Sequence, residues 1–404
     1  MSEADWIDAR TACAVLGVRA QSLYAYASRK LLRTCSDAGD PRRSLYLRQD
    51  VEQLAARHRR PRARAEVAAQ AIRWGDPVLD TAVSGVRNGQ LWFGDRLATD
   101  CAETMSLESV AAHHWRVDAV EPVAGGQRPS PTPGDTSSSM SRALRYLANQ
   151  AMTAAPMQDR DRLAIGAEGA ALLAGVAGAV LQDAAPGPIH RRIAKAWDLR
   201  DDGEDIARQT LVLLSDHELN PSTFAVRVCA STAASLPAAL LAGLATLSGP
   251  RHGGVAILAR DALDAGAEGD AALADFLRGH ADLSPYAFGY GHPLYPAGDP
   301  RAAHLLAALG EISPAVAVVR AIERRLDQRA NIDAALAAVA VTYGLPADAG
   351  FALFAVGRVA GWIAHALEQV GTGHIIRPRA RFRPGLEAAR NSPAHQARAW
   401  WAGL

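Results

Sequence analysis

The sequence predicts a mainly α-helical protein, and three observations support that fold class. The chain has 404 residues and is rich in alanine and leucine, which favour helices. From residue 142 to the end, apolar residues recur with helical spacing between breakers such as Pro186-Gly187-Pro188 and Gly344-Leu345-Pro346. That region contains no long run in which polar and apolar residues alternate, the pattern of a half-buried strand. A chain of this length has room for two or three domains.

The composition favours an intracellular protein without a membrane partner. The 43 basic and 42 acidic residues nearly cancel, so net charge gives no argument for nucleic acid or membrane binding. Cys13, Cys35, Cys101 and Cys229 lie far apart without CxxC spacing, which favours reduced thiols over disulfides or a zinc site. The N-terminal residues lack the apolar core of a signal peptide. The longest apolar runs, such as Leu236–Leu247, look too short to cross a bilayer, so we expect a cytoplasmic protein.

Residues 1–64 form the first predicted domain. Apolar residues from Ile7 to Leu16 have helical spacing and Gly17 ends the run, after which a second short helix covers Ala20–Arg29. The polar loop SDAGDPRRS between two short apolar stretches predicts a pair of strands, and Asp50 is expected to cap a further helix. This pattern resembles the winged helix-turn-helix domain of the MerR family.

The resemblance implies contact with DNA through residues 6–64. The second helix would present Arg19, Gln21, Ser22 and Arg29 to a major groove, and the loop arginines Arg42 and Arg43 would meet phosphates. Five arginines between residues 57 and 64 add a basic run. Small helix-turn-helix units also serve as docking or structural modules, and basic linkers are usually only solvated. Both interpretations stay open at this point.

Residues 65–141 have a mixed pattern. Val78–Val86 and Gln90–Phe93 flank Asn88-Gly89, which predicts a two-residue β-hairpin. A helical stretch is expected over Ser106–Trp115. The segment Glu121–Ser141 is rich in Pro, Gly, Ser and Thr and predicts an exposed, mobile linker.

Four loop-centred groups in the helical region carry residues suited to chemistry. They are the Asp216–Asn220 group with His217, the Gly249–Gly254 loop with His252, the segment from Phe288 to Ala302 with His292 and Arg301, and Asn331–Asp333 followed later by Arg358 and Arg377. The nearly uncharged span between His217 and His252 predicts two buried helices, so both imidazoles face one interior. Taken singly, each group has a simpler explanation: a packed histidine, a helix N-cap at Asn331, or a salt bridge at Arg358.

In order and spacing, the four groups resemble the motifs of the citrate synthase family. The matching stretches are DHELNPST, GPRHGG, GHPLY followed by DPRA, and NID, with FAVGRVAGWIAHALEQ behind them. The resemblance covers residues 160–380 well and 72–120 weakly. It implies a helical body over 142–404 with a large domain and a small domain inserted at roughly 250–350, an N-terminal segment over 65–141, and a homodimer.

The resemblance also implies the chemistry: acetyl-CoA condenses with oxaloacetate to give citrate and CoA, as in the tricarboxylic acid cycle. Asp333 would remove the methyl proton, His252 would stabilise the enol, and His292 would polarise the ketone. The carboxylates of oxaloacetate would be held by His217, Arg301, Arg358 and Arg377, the last of these contributed by the partner subunit. No metal or cofactor is implied beyond the CoA thioester, which is a substrate, and no cofactor-binding residues are assigned.

The sequence departs from the family pattern at two places. Pro293 and Pro296 replace basic residues, the second of which meets CoA phosphates in relatives, and Ala334-Ala335-Leu336 replaces an aromatic-Tyr-Ser wall after the base. A smaller wall leaves room for propionyl-CoA and a 2-methylcitrate synthase activity. Two further alternatives are a metabolite-sensing DNA-binding regulator with a degenerate body and a catalytically quiet paralogue. The intact histidine, aspartate and arginine set favours the enzyme.

Overall fold

The computed structural model describes residues 6–16, 18, 20–28, 31–37, 40, 43–52, 54, 79–121, 136–200, 202–310 and 313–380. Arg19, Arg29, Arg42 and the basic run of residues 57–64 lie outside the described residues. The chain divides into two compact units, Met1–Asp80 and Thr81–Leu404.

The first unit combines a small sheet with two helices. Its elements are the strands Trp6–Asp8, Thr34–Ser36 and Ser44–Leu47 and the helices Ala9–Leu16 and Ala20–Ser28, with residues 48–52 also helical. Ser44–Leu47 is the central strand and pairs antiparallel with both others. The two helices and the second strand beside the polar loop follow the sequence prediction, whereas the first strand is Thr34–Ser36 and not the apolar stretch at residues 31–33. They enclose a core of Ile7, Ala12, Leu16, Leu23, Leu32, Tyr46, Val51 and Leu54.

Two details of the first unit differ from the prediction. Ile7 lies in a strand rather than in the first helix, because it pairs with Tyr46 across the sheet. The helix begins after Asp8, whose Oδ1 accepts the Thr11 N–H at 2.7 Å. Asp50 is not a cap. It lies within the helical residues 48–52, and its carboxylate binds the Arg33 guanidinium at 2.7 and 2.8 Å.

The second unit starts with the predicted hairpin. Strands Ser84–Arg87 and Gln90–Phe93 pair antiparallel, and a short strand, Arg96–Leu97, adds to the second of them. Asn88 and Gly89 have φ of 53° and 71°, the left-handed pair that a type I′ turn requires. The first strand is shorter than predicted, since residues 79–83 are not part of it.

The rest of the described second unit is helical, as predicted. Its α-helices are Ala98–Thr104, Leu107–Trp115, Ser139–Thr153, Arg162–Leu181, Ile189–Ala196, Gly203–Leu214, Pro221–Ala230, Leu236–Leu247, Val255–Glu268, Asp270–Gly279, Pro300–Leu309, Pro314–Leu326, Ile332–Thr342 and Ala349–Thr372, with a 3₁₀ turn at Pro285–Phe288. The linker prediction is wrong at its end: residues 139–141 already belong to a helix, where the Ser138 side chain accepts the Ser141 N–H. Residues 122–135 of that linker lie outside the described residues.

The long helix Ala349–Thr372 runs through the centre of the body and is buried along almost its whole length. It packs against Leu107–Trp115, Arg162–Leu181, Gly203–Leu214 and Pro221–Ala230. The expectation that every apolar run is too short for a bilayer is wrong, because Arg162–Leu181 and Ala349–Thr372 are both long and apolar enough to cross one. Their burial inside the body is what core helices of this length show.

Candidate functional site

The loop-centred groups found in the sequence meet in the helical body. Five of the side chains lie in loops or at helix starts: His217 after Gly203–Leu214, His252 before Val255–Glu268, His292 before Pro300–Leu309, and Arg301 and Asp333 in the first turns of their helices. Arg358 instead lies in the middle of Ala349–Thr372. A ring contact joins His217 to His292, and Coulombic interactions connect these two with His252, Arg301, Asp333 and Arg358. The structure thus brings six of the seven predicted site residues together.

His217 lies at the centre of the cluster and is buried. Its Nε2 lies 2.9 Å from the Tyr295 hydroxyl, and its ring is 5.3 Å from the His292 ring in an edge-on contact. Burial lowers the pKa of His217 well below its ordinary value, and the neighbouring Arg301 charge lowers it further. His217 is therefore a neutral hydrogen-bonding group at pH 7.

His292 is oriented by its own loop. Its Nδ1 accepts the Leu294 N–H at 3.1 Å, so the neutral ring carries its proton on Nε2. Burial and the Arg301 charge lower the pKa of His292 to about 4. The ring also packs edge-on against Tyr286 at 5.7 Å between centroids. His292 is thus a neutral imidazole with an Nε2–H donor.

His252 lies in the loop between the helices Leu236–Leu247 and Val255–Glu268. Its Nε2 lies 2.9 Å from Ser222 Oγ, and its ring meets the Phe354 ring edge-on at 5.9 Å. Burial, with a smaller contribution from Arg358, lowers the pKa of His252 to about 3. Gly253 follows it because a Cβ there would lie 2.6 Å from the Leu247 carbonyl oxygen. The missing side chain at residue 253 therefore makes room for the end of the preceding helix, Leu236–Leu247.

Asp333 occupies the first turn of the helix Ile332–Thr342, where Asn331 caps the helix by accepting the Asp333 N–H. No hydrogen bond from the described residues reaches the Asp333 carboxylate. Burial raises the pKa of Asp333 to about 7, although the Arg301 charge acts in the opposite direction. A carboxyl group with a pKa near neutrality is suited to accept and release a proton.

The loop of His292 and the helix of Asp333 are fixed to each other. Tyr290 and Ala330 form an antiparallel bridge, and the Asn331 amide donates to the Gly291 carbonyl at 3.0 Å. Gly289 has φ of 97°, and a Cβ there would lie 2.8 Å from the Ala334 nitrogen. Glycine is required at residue 289 both by the left-handed backbone and by this close approach.

Arg301 differs from the expectation in one respect. Its guanidinium is already paired with Asp299, at 3.0 Å from Nε to Oδ1 and 2.8 Å from Nη2 to Oδ2, and both side chains are buried. Asp299 also accepts the Ile332 N–H at 3.1 Å, so it links Arg301 to the helix that carries Asp333. The pair is neutral overall, which reduces the charge that Arg301 offers to a ligand.

Arg358 is the buried cation of the site without such a pair. Its Nε donates to the Leu214 carbonyl at 2.8 Å, and its guanidinium lies over the Phe354 ring at 4.8 Å. Both Nη atoms are buried without a hydrogen-bond partner in the described part of the chain. Burial lowers the pKa of Arg358 to about 10, against the opposing effect of Asp216. Two parallel, unpartnered N–H groups match the geometry of a carboxylate.

Arg377 is the predicted residue that this chain does not bring into the site. It is exposed in the extended segment 373–380, where Ile376 N–H donates to Ser231 Oγ at 3.0 Å. Pro293 and Pro296 are exposed as well. Among the described residues, no group of three or more His, Cys, Asp and Glu side chains could hold a metal ion.

Four residues that contact the predicted set were given no role from the sequence. They are Tyr295 on His217, Ser222 on His252, Asp299 on Arg301 and Asp216, which is buried beside Arg358. All four belong to the motifs quoted above, so the signal was their position within those motifs.

A helical body that buries a carboxyl of raised pKa among neutral imidazoles and an unpaired guanidinium defines a class of protein suited to acid–base chemistry on an anionic ligand. A family model described as the C-terminal domain of citrate synthase matches residues 127–379, more than half of the chain. The chain belongs to the citrate synthase family.

Similar proteins agree with this assignment. A citrate synthase of Haloferax volcanii is 36% identical over 182 residues, which covers 43% of this chain and 48% of the relative. A 2-methylcitrate synthase of Shewanella oneidensis is 33% identical over 186 residues, covering 43% and 48%. The match spans about half the length of these curated relatives. Neither is described as a regulator, so the regulator alternative has no support from them.

The fold has a counterpart among solved structures. The citrate synthase of Thermoplasma acidophilum, solved as a ternary complex with carboxymethyl coenzyme A and oxaloacetate, superimposes with a TM-score of 0.65 at 21% identity. The match covers 79% of this chain and 99% of that one. The second unit therefore has the citrate synthase fold, as the sequence predicts.

Proposed function

We propose that the protein is a citrate synthase-like acyltransferase that condenses acetyl-CoA with oxaloacetate, after which water hydrolyses the thioester of the condensation product to give citrate and free CoA. One observation carries the proposal: the buried Asp333 carboxyl, with a pKa raised to about 7, lies in one cluster with three neutral imidazoles and the unpaired Arg358. Family membership supports the same reaction.

Asp333 is the proposed base for the methyl group of the thioester. A carboxylate of ordinary pKa would be a weak base for so weak a carbon acid, and burial strengthens it. His252 would stabilise the enol by donating a hydrogen bond to the thioester oxygen. Because its Nε2 faces Ser222, the donor must be Nδ1–H, and Nε2 must accept from the Ser222 hydroxyl. That hydroxyl donates to Asn220 Oδ1 at 2.8 Å in this structure, so it would turn when substrate binds.

The other groups would bind and polarise oxaloacetate. His292 carries its proton on Nε2 and would donate it to the ketone oxygen, where negative charge develops as the new bond forms. Arg358 would hold one carboxylate through its two unpartnered Nη groups. His217, with Arg301, completes the proposed carboxylate contacts. A CoA thioester as substrate, without a further cofactor, satisfies this chemistry.

Acetyl and propionyl are the two acyl groups proposed for the thioester substrate. The residues after the base are small: Ala334 packs against Gly289, and Ala335 is fully buried. A 2-methylcitrate synthase among the relatives supports propionyl-CoA as the alternative substrate. One methylene group usually changes kcat/KM by roughly 10- to 200-fold, and a small wall favours the low end.

We expect the purified protein to release free CoA thiol from acetyl-CoA in the presence of oxaloacetate, with propionyl-CoA within roughly tenfold in kcat/KM. Thiol release should depend on oxaloacetate, which separates condensation from simple thioester hydrolysis. Citrate or 2-methylcitrate is then identified by mass spectrometry. Absence of oxaloacetate-dependent thiol release from either thioester, with the protein folded, would refute the proposed function.

We also propose that residues 6–64 form a winged helix-turn-helix unit that binds DNA. The helices Ala9–Leu16 and Ala20–Ser28, followed by an antiparallel strand pair, support this, and Gln21 and Arg43 are exposed. Changing Arg42 and Arg43 together to Ala should weaken retardation of the promoter DNA of the protein's own gene. It should also reduce the slope of log affinity against log salt by roughly 0.9 for each lost phosphate contact. Arg324→Gln, at an exposed position, is the control. Unchanged DNA retardation and an unchanged salt slope in the double variant would contradict the proposal.

The assembly and location are proposals of the same kind. We propose a homodimer, because Arg377 is exposed and not part of the cluster that the other six predicted residues form, so it would complete the site of a second copy. We propose a cytoplasmic location, which agrees with the described cysteines being free thiols. The division into 1–64, 65–141 and 142–404, with a small domain at roughly 250–350, is proposed as the domain organisation.

A further inference from the structure

The first strand of the hairpin is attached directly to the turn that carries His217. The buried Ser84 hydroxyl donates to Asp216 Oδ2 at 2.5 Å, and Ser84 Oγ accepts the Glu218 N–H at 2.8 Å. One side chain therefore contacts the residues on both sides of His217. Asp216 and Ser84 are 132 residues apart in the chain, so this contact is made only by the fold.

Glu218 returns a second contact to the strand. Its Oε1 accepts the Val86 N–H at 2.6 Å. Glu218 also has φ of 50°, a left-handed conformation that a residue with a Cβ rarely adopts and that its surroundings must stabilise. The strand supplies that stabilisation at both the backbone and the side chain. The direction of the chain after His217 is thus set by residues of the hairpin.

Asp216, the residue before His217, is also fixed by hydrogen bonds. Asp216 is fully buried and accepts from Ser84 and from His365 Nε2, the latter at 3.1 Å. Further along, Ala82 N–H donates to Glu368 at 2.7 Å. Ala82, Ser84 and Val86 are alternate residues of this stretch, and each donates a hydrogen bond to a carboxylate of the helical body. The residues on the hairpin side of these contacts lie outside residues 127–379, the part that the family model matches, whereas their partners lie inside it.

We propose that Ser84 is a positioning residue of the active site, which fixes His217 for substrate binding by clamping the Asp216–Glu218 turn. The inference rests on the proposed function for its kinetic meaning. It assigns a role in the reaction to the N-terminal hairpin, whereas a purely structural hairpin would affect stability alone. Ser84 itself touches no substrate and acts only through the turn.

The test compares three variants in the full-length protein. Ser84→Ala removes the hydroxyl, Ser84→Thr keeps it, and Gln90→Ala changes an exposed side chain of the same hairpin. We expect Ser84→Ala to raise KM and the calorimetric Kd for oxaloacetate roughly tenfold, with a smaller change in kcat, because two hydrogen bonds at the turn are lost. Ser84→Thr should stay within about threefold of the wild type, and Gln90→Ala should match it.

Amide hydrogen exchange of the 216–219 segment gives a readout independent of turnover. It should become at least about tenfold faster in Ser84→Ala and remain unchanged in Gln90→Ala. If Ser84→Ala fails to fold, Glu218→Ala tests the same clamp from the other side and should raise KM for oxaloacetate several-fold. The inference is overturned if KM, Kd and the exchange rate are unchanged in the variant that folds. It is also overturned if Ser84→Thr loses as much affinity for oxaloacetate as Ser84→Ala. If the wild type shows no turnover, the proposed function is refuted instead. The amide exchange rates of the 216–219 segment then decide alone whether Ser84 holds the Asp216–Glu218 turn.

Discussion

Asp333→Asn is expected to lower kcat by roughly 10²- to 10⁴-fold, the range that a general base contributes. Asparagine has nearly the same shape, and the backbone N–H that Asn331 accepts is kept. The change therefore removes the basic oxygen and little else. Steady-state thiol release measures the loss, and oxaloacetate affinity, measured by calorimetry, should stay close to that of the wild type.

The same change should stabilise the fold at high pH. Burial raises the pKa of Asp333 from 3.8 to about 7, so between these values the folded state binds more protons than the unfolded state. Stability from this group therefore falls as the pH rises through that window, and the destabilisation is complete above pH 7. At about 1.4 kcal/mol for each pH unit, the cost at pH 8 is up to about 4 kcal/mol. The neutral amide of Asp333→Asn carries no such cost, so the variant gains up to that amount.

Denaturant unfolding at pH 8 and at pH 3 checks this gain. The variant should be the more stable protein at pH 8 and equal to the wild type at pH 3, where the carboxyl is protonated in both states. In the wild type, kcat/KM should fall about tenfold for each pH unit below 7, because only the ionised carboxylate can accept the proton. Asp270→Asn, at an exposed position in the first turn of another helix, is the matched control. Retained turnover in Asp333→Asn would remove Asp333 from the mechanism.

The sequence located the six clustered residues, out of seven candidates, through the order and spacing of four motifs, although each motif also has recognisable local features. Asp333 follows an Asn N-cap, and His252 lies in a glycine-rich turn, features that depend on residues a few positions apart. The long helices were also predictable from apolar spacing and breakers. In Arg162–Leu181, Glu168 interrupts the small and apolar residues, so no single apolar run in the sequence shows the full length of this helix.

The parts that could not be predicted depend on contacts between distant residues. Ile7 joins a strand because Tyr46 is available to pair with it, although its local spacing is helical. The Arg301–Asp299 pair is close in sequence, yet its strength depends on burial that only the fold provides. Gly253 and Gly289 are required by neighbouring backbone, which a motif alone cannot show.

Arg358→Gln is expected to weaken oxaloacetate binding by roughly 10²- to 10³-fold, because breaking a buried charge pair costs about 2–5 kcal/mol. Arg301 cannot replace it, since Asp299 already neutralises that guanidinium at 2.8 Å. Arg358→Lys keeps the charge but loses the two parallel N–H groups, so it should recover only part of the affinity. Calorimetric titration of oxaloacetate into each variant measures the difference, with the exposed Arg324→Gln as control.

Thermal unfolding with and without oxaloacetate distinguishes a loss of ligand binding from a loss of stability in Arg358→Gln. The buried Nη atoms of Arg358 have no partner in the described residues, so in the free protein they carry a desolvation cost that a bound carboxylate would offset. Saturating oxaloacetate should therefore raise the Tm of the wild type, and this rise should disappear in Arg358→Gln. If the rise persists in that variant, the carboxylate is bound elsewhere, and Arg301 with His217 must hold it despite the competing Asp299.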